Sequence, residues 1–227
     1  MKLSLLFTAA LLTSASLHAL TTWPPSSTLQ ETQTADPLLH VHDRSYLNDY
    51  PPVLENGAIN VVVEIPAGTT AKWEVTKPEG ELRWELKDDK PRVVQYLGYP
   101  GNYGMIPRTL LPEELGGDGD PLDVIVLGKA VERGSVLRAR LIGVMHMLDG
   151  GELDDKLIAV RPDSPFGRVQ NLEDLQKQFP GVTTILETWF SNYKGPGKIE
   201  VPGFSDVSRA REILEAAVEA YVPPTDR

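Results

Sequence analysis

The sequence predicts an α+β protein in which a strand-rich stretch closes, fully or in part, into a barrel and helices follow it. Three observations carry this. Short β-branched or alternating runs succeed one another from Ile59 to Val160. Glycine turn signals, Glu79-Gly80, Gly116-Gly117 and Gly150-Gly151, separate them. Apolar residues recur at helical spacing only after residue 170. Closely spaced short strands with turns between them favour barrels.

Taken in order, Ile59–Pro66 (INVVVEIP) is short and β-branched, and Lys72–Val75 and Leu82–Leu86 alternate. Arg92–Leu97 reads as a further strand. Leu122–Leu127 (LDVIVL) is apolar with one acid inside, Val136–Met147 is long and apolar, and Lys156–Val160 closes the series. Among the helices, Asn171–Phe179 starts on a capping Asn and stops before Pro180. Val182–Tyr193 places Ile185, Leu186, Trp189 and Phe190 on one side. Ser205–Tyr221 repeats Val207, Ala210, Ile213, Leu214, Ala217 and Val218, with Ser205 or Asp206 as cap and Pro223-Pro224 as stop.

The chain of 227 residues suffices for one domain with a sizeable core. Its first segment has the pattern of a signal peptide: a basic Met1-Lys2, an apolar Leu3–Leu12, then small residues, with cleavage after Ala15, Ser16 or Ala19. The bland alternative is a short buried helix. The apolar run is too short to span a bilayer comfortably. The expected organisation is a signal peptide over 1–19, an N-terminal arm over 20–55 and one catalytic domain over 56–227. The expected location is outside the cytoplasm, periplasmic or secreted. His40 and His42, two apart in the arm, are expected to be surface histidines.

The formal net charge of -10 makes nucleic acid and anionic membrane poor partners. No cysteine is present, which excludes disulfides, thiolate zinc sites and cysteine nucleophiles. Acids gathered in one place, by contrast, call for metal ions. Asp118-Gly-Asp120-Pro-Leu-Asp123 sets three carboxylates within six residues at the entrance of an apolar strand. A solvated turn is the bland reading of an isolated D-x-D. An acid inside the strand argues otherwise, because a buried carboxylate without a positive partner is costly. A second acidic group, Asp149, Glu152, Asp154 and Asp155, surrounds Gly150-Gly151 just before Lys156. Lys72, Glu74, Arg92, Tyr99, Tyr103, Tyr193 and Lys194 recur around these acids in the sequence. Carboxylates for hard divalent cations, with Lys, Arg and Tyr for phosphate oxygens, are the parts that phosphoryl transfer requires.

These motifs resemble those of family I soluble inorganic pyrophosphatases. The DGDPLD hexapeptide at 118–123 matches the family signature. Val61–Pro66 looks like its opening strand, Lys72-Trp73-Glu74 its Lys-aromatic-Glu element, and Tyr99–Gly104 its Tyr…Asn-Tyr-Gly loop. Asp149–Lys156 resembles its second acidic loop and Tyr193-Lys194 its late pair, all in the family's order from about Ile59 to Tyr221. The resemblance implies an OB-like five-stranded β-barrel with flanking helices. It implies Mg²⁺-dependent hydrolysis of pyrophosphate to two orthophosphates by a metal-activated water, several Mg²⁺ per site (other divalent metals being possible), and a homo-oligomer. It also implies roles. Asp118, Asp123 and Asp154 bind the tightest metals and Asp149 a further one. Asp120 orients or deprotonates the attacking water. Lys72, Arg92, Tyr103, Lys156, Tyr193 and Lys194 hold phosphate oxygens, with Glu64 and Glu74 at the edge of the metal cluster. Arg83 is the alternative to Arg92, whose spacing from Tyr99 is about one residue short. The second loop begins Asp149-Gly150 where many bacterial members have Asp-Glu, so one outer carboxylate is absent.

Overall fold

Residues 36–40 and 42–223 are described in a computed structural model; the signal segment and the first part of the arm lie outside the described residues. In chain order the strands are β1 (Leu39–His40), β2 (Ile59–Ile65), β3 (Trp73–Val75), β4 (Leu82–Trp84), β5 (Leu86–Lys87), β6 (Lys90–Pro91), β7 (Asn102–Met105), β8 (Asp123–Leu127), β9 (Val136–Asp149), β10 (Glu152–Leu153), β11 (Lys156–Val160) and β12 (Ile199–Asp206). The helices are α1 (Leu172–Gln178), α2 (Val182–Asn192) and α3 (Val207–Ala220).

Five strands close an OB-like barrel. β2 pairs with β7, β7 with β8, β8 with β11, β11 with β9, and β9 returns to β2. Only the β8–β11 pairing is parallel, with Ile125 opposite Ile158. The 14 residues of β9 make this possible, because its edge runs past β2 and is continued by β12.

The unbroken apolar runs of β8 and β11 follow from burial on both faces. Successive side chains of a strand point to opposite sides. Val124 and Val126 join the cluster that contains Ala210, Ile213 and Leu214 of α3. Ile125 and Leu127 join the one holding Leu186, Trp189 and Phe190 of α2. A third cluster packs Tyr46, Leu47 and Tyr50 against Trp73, Val75 and Leu82, so residues 45–50 are bound to the body of the protein. There, β1, β4 and β3 form a separate small sheet. The helix caps are as the sequence suggests. The Asn171 side chain accepts from Asp174 N at 2.8 Å. Asp206, rather than Ser205, accepts from Ser208 N and Arg209 N at 2.9 and 3.2 Å.

Four sequence expectations change. Arg92–Leu97 is not a strand: apart from one bridge between Val93 and Ala71 it crosses the surface, and Leu97 O accepts the indole N–H of Trp189 at 3.0 Å. Leu82–Leu86 divides between two strands in two different sheets. β7 and β12 were not foreseen as strands. His42 is no surface histidine; its side chain is 1% exposed and its ring lies 5.3 Å from that of Tyr46.

Candidate active site

The site grows from the ends of barrel strands. The chain enters β8 through Asp118–Asp123, where Gly119 has φ 84°, a conformation that suits glycine. Asp118 Oδ1 accepts the Asp120 N–H at 2.9 Å, which holds the turn. Asp123 opens β8 and Lys156 opens β11, its parallel neighbour, so their side chains meet: Lys156 Nζ donates to Asp123 Oδ2 at 2.5 Å and also to Asp154. This ammonium is only 3% exposed. Burial works against its charge, but Asp123 and Asp154 outweigh that and raise it above the ordinary lysine value.

Tyr103 on β7 is buried beside this pair, with Lys72 Nζ 5.8 Å and Lys156 Nζ 5.9 Å from its ring centre. Burial, reinforced by Asp123, pushes its phenol well above the usual range, so it acts as an O–H group. Glu64 is the extra residue of a β-bulge in β2: Val63 faces Gly104, and Ile65 already faces Tyr103. Bulges re-aim side chains, and this one sets a carboxyl in a buried position where it accepts Val75 N–H at 2.8 Å. Burial, opposed by Lys72 and reinforced by Asp123 and Glu74, pushes its pKa up to about 8.

Glu64, Lys72, Glu74, Asp118, Asp120 and Asp123 line one cleft. Asp118 also borders the adjoining hollow of Asp149, Glu152 and Asp154. Beyond Asp149 the lining becomes cationic, with Arg92, Tyr193, Lys194, Lys198 and Lys87. Arg92 Nη1 contacts both Glu85 oxygens at 2.6 and 2.9 Å, and Lys194 pairs with Asp149. Burial raises the Tyr193 phenol, with Lys156 pulling the other way. The eleven residues expected to hold metal, phosphate oxygens or the attacking water thus border these three hollows or contact a residue that does. Arg83 instead sits on β4 with its guanidinium 3.8 Å from Asp36, so Arg92 is the arginine at the cleft.

Hard oxygen donors are the set that Mg²⁺ takes. Burial raises the Asp154 pKa, as it does that of Glu64, and outweighs the pull of Lys156 and Lys72, with Asp123 raising both further. A divalent cation would relieve this. Among the described residues no three carboxylates converge on one point. Asp123 and Asp154 rest on Lys156, Asp120 on Lys77, and Asp149 on Lys194. The donors fit the metal, and loading it means turning carboxylates away from these ammonium groups.

Sequence reading overlooked Lys77, Glu85, Lys87 and Lys198. Lys77 Nζ donates to Gly119 O at 2.8 Å and pairs with Asp120. Glu85 had a legible signal: it stands seven residues before Arg92, with a turn-forming Asp88-Asp89 between, the pattern of a cross-strand ion pair on a hairpin.

A protein-family model described as "Inorganic pyrophosphatase" matches residues 61–222. The chain is 38% identical over 184 residues to a soluble inorganic pyrophosphatase of Zea mays, covering 79% of this chain and 78% of that protein. It is 34% identical over 183 residues to the mitochondrial inorganic pyrophosphatase of Saccharomyces cerevisiae, covering 70% of this chain but only 58% of that protein's length. Among solved structures, the inorganic pyrophosphatase from Schistosoma japonicum is similar with a TM-score of 0.75 and 28% identity, covering 84% of this chain and 78% of the other.

Proposed function

The chain belongs to the inorganic pyrophosphatase family, and from that premise we propose that it hydrolyses pyrophosphate to two orthophosphates with Mg²⁺. One observation carries the reading: an acid-lined hollow adjoins a cation-lined one, and Asp149 borders both. Asp118, Asp123, Asp154 and Asp149 are the proposed holders of the metal. When bound, Mg²⁺ supplies Lewis acidity towards water and phosphoryl oxygens.

The chain's own residues do the rest. Lys72, Arg92, Lys156 and Lys194 donate to phosphate oxygens, and the Tyr103 and Tyr193 hydroxyls donate beside them. Tyr103 and Lys156, buried on barrel strands, are set in place before reaction, which is where electrostatic catalysis gains most. Asp120, half exposed on its turn, takes one proton from the attacking water as its carboxylate leaves Lys77. The water oxygen bonds to one phosphorus, the bridging P–O bond breaks, and the departing phosphate carries the electron pair away on the cationic wall. No covalent enzyme intermediate is needed.

Phosphorus NMR in ¹⁸O-labelled water tests this. One labelled oxygen per pyrophosphate consumed, in one of the two phosphates, is expected. A pyrophosphate signal that persists with Mg²⁺, while the compound still binds, would favour a phosphate-binding protein on the same fold. The signal-like residues 1–19 also lead us to propose export, with 20–55 as an arm and 56–227 as the catalytic unit. A mature N-terminus beyond residue 15 in an extracytoplasmic fraction is expected; Met1 intact in the cytosol would remove the basis. A homo-oligomer is expected in sedimentation, and the mass of a single chain would contradict it.

A further inference from the structure

Behind the acidic cluster runs a hydrogen-bonded chain that the proposed reaction does not use. Asp155 Oδ2 lies 2.8 Å from His146 Nδ1, and His146 Nε2 lies 2.7 Å from Ser205 Oγ. The other Asp155 oxygen accepts the backbone N–H of Met147 at 3.1 Å. An ionised carboxylate only accepts, so His146 Nδ1 carries a proton and Nε2 faces the serine hydroxyl. His146 and Asp155 border a cavity whose far wall is Asp118, Asp120, Asp123 and Asp154.

We infer that Asp155, held by His146 and Ser205, is a positioning residue that aims Asp154 and Lys156 at the metal cluster; this rests on the proposed function of that cluster. Asp155 lies directly between those two residues. The Gly150-Gly151 tip before them has both glycines at positive φ, 62° and 96°, and nothing within 4 Å of where a Cβ would stand; a backbone bond from Gly150 N to Lys198 O at 3.2 Å ties it down, so it gives Asp154 no side-chain support. The aim of Asp154 must come from elsewhere. Its own N–H is held by Met147 O at 2.9 Å, and the Asp155 carboxylate grips Met147 N from the other side. His146 then ties Asp155 across to Ser205 on β12, one residue before the Asp206 cap of α3. Groups that orient metal ligands from behind typically change metal affinity by about 10–100-fold when removed.

The test is calorimetric Mg²⁺ binding to the full chain, with thermal melts in chelator alongside and pyrophosphate hydrolysis measured separately. Asp155→Ala is expected to weaken Mg²⁺ binding about tenfold, while its chelator melt stays close to wild type. Asp155→Asn is expected to stay within about threefold, because its amide oxygen keeps the Met147 bond and its NH₂ group donates to the other His146 tautomer. Ser205→Ala should fall between the two. Wild-type affinity in Asp155→Ala would overturn the inference. So would an Asp155→Asn loss equal to that of Asp155→Ala, since charge rather than position would then be the cause. A wild-type protein that binds Mg²⁺ but leaves pyrophosphate intact would defeat the functional reading alone, because the binding comparison would still stand.

Discussion

The strand-borne and loop-borne parts of the cleft are built differently. Glu64, Tyr103, Asp123 and Lys156 stand on barrel strands, and all but Asp123 are almost wholly buried. Asp118, Asp120, Arg92, Asp149 and Lys194 stand on turns or strand ends, and their pairs are a quarter to a half exposed. Burial raises the Glu64 and Tyr103 pKa values, Lys156 keeps its charge against burial through Asp123 and Asp154, and solvent screens the second group. The barrel therefore holds charge that costs stability, whereas the loops supply charge that is free to move when metal and substrate arrive. Strand-borne changes should alter stability and catalysis together; loop-borne changes should alter catalysis alone.

Lys156→Ala should show the largest effect. Removing one partner of a buried ion pair costs about 3–5 kcal/mol; here the partners are about a quarter exposed, so a loss of about 2–3 kcal/mol is expected in chelator. Hydrolysis should fall at least about 100-fold. Urea unfolding and initial rates measure the two, and an unchanged unfolding midpoint would break the comparison. Asp120→Asn should lower kcat about 100-fold or more with the melt unchanged within a degree or two, as befits a half-exposed base. Retention of more than about a tenth of kcat would remove its role. Lys194→Ala should reduce kcat/KM about tenfold through the lost charge-assisted contact, again without a stability change.

Glu64→Gln should act on stability with the opposite sign. Burial pushes the folded carboxyl up to about 8 from the ordinary glutamate value of 4.5. The native state therefore holds a proton that the unfolded chain releases, and stability falls as pH rises from about 5 through 8. The glutamine keeps an acceptor for Val75 N–H without that proton. In chelator the variant should lose part of the decline between pH 5 and 8 while losing activity. A wild-type stability that is flat over this range would contradict the buried, raised carboxyl.

Legibility in the sequence divides along physical lines. β2, β8 and β11 were readable because burial on both faces demands β-branched or apolar runs, and β9 because its middle, Leu141–Met145, is apolar and buried throughout. β7 (NYGM) was hidden because its fit depends on an absent side chain: a Cβ on Gly104 would stand 1.8 Å from Val62 O. β12 was hidden by Pro202-Gly203, which lie at a register shift opposite β9. Arg92–Leu97 misled in the other direction: Val94 joins the cluster of α2 and Tyr96 lies edge-on to Trp189, while Val93 and Leu97 stay exposed and no sheet partner runs alongside among the described residues. In the site, the acids and the Tyr-Lys pair were legible as clusters within short segments. Lys77 was not, since its partner Asp120 is 43 residues away and a surface lysine has no pattern of its own. The His146–Asp155–Ser205 chain likewise joins residues up to 59 apart, and only the pairing of β9 with β12 brings them together.

The most direct measurement is phosphate release from Mg-pyrophosphate by the purified chain, with and without chelator, beside Asp118→Asn. Release that requires Mg²⁺ and is lost in the variant is the expected result. No release with any divalent metal, or undiminished release from Asp118→Asn, would contradict the assignment of the acidic cleft to metal-dependent hydrolysis.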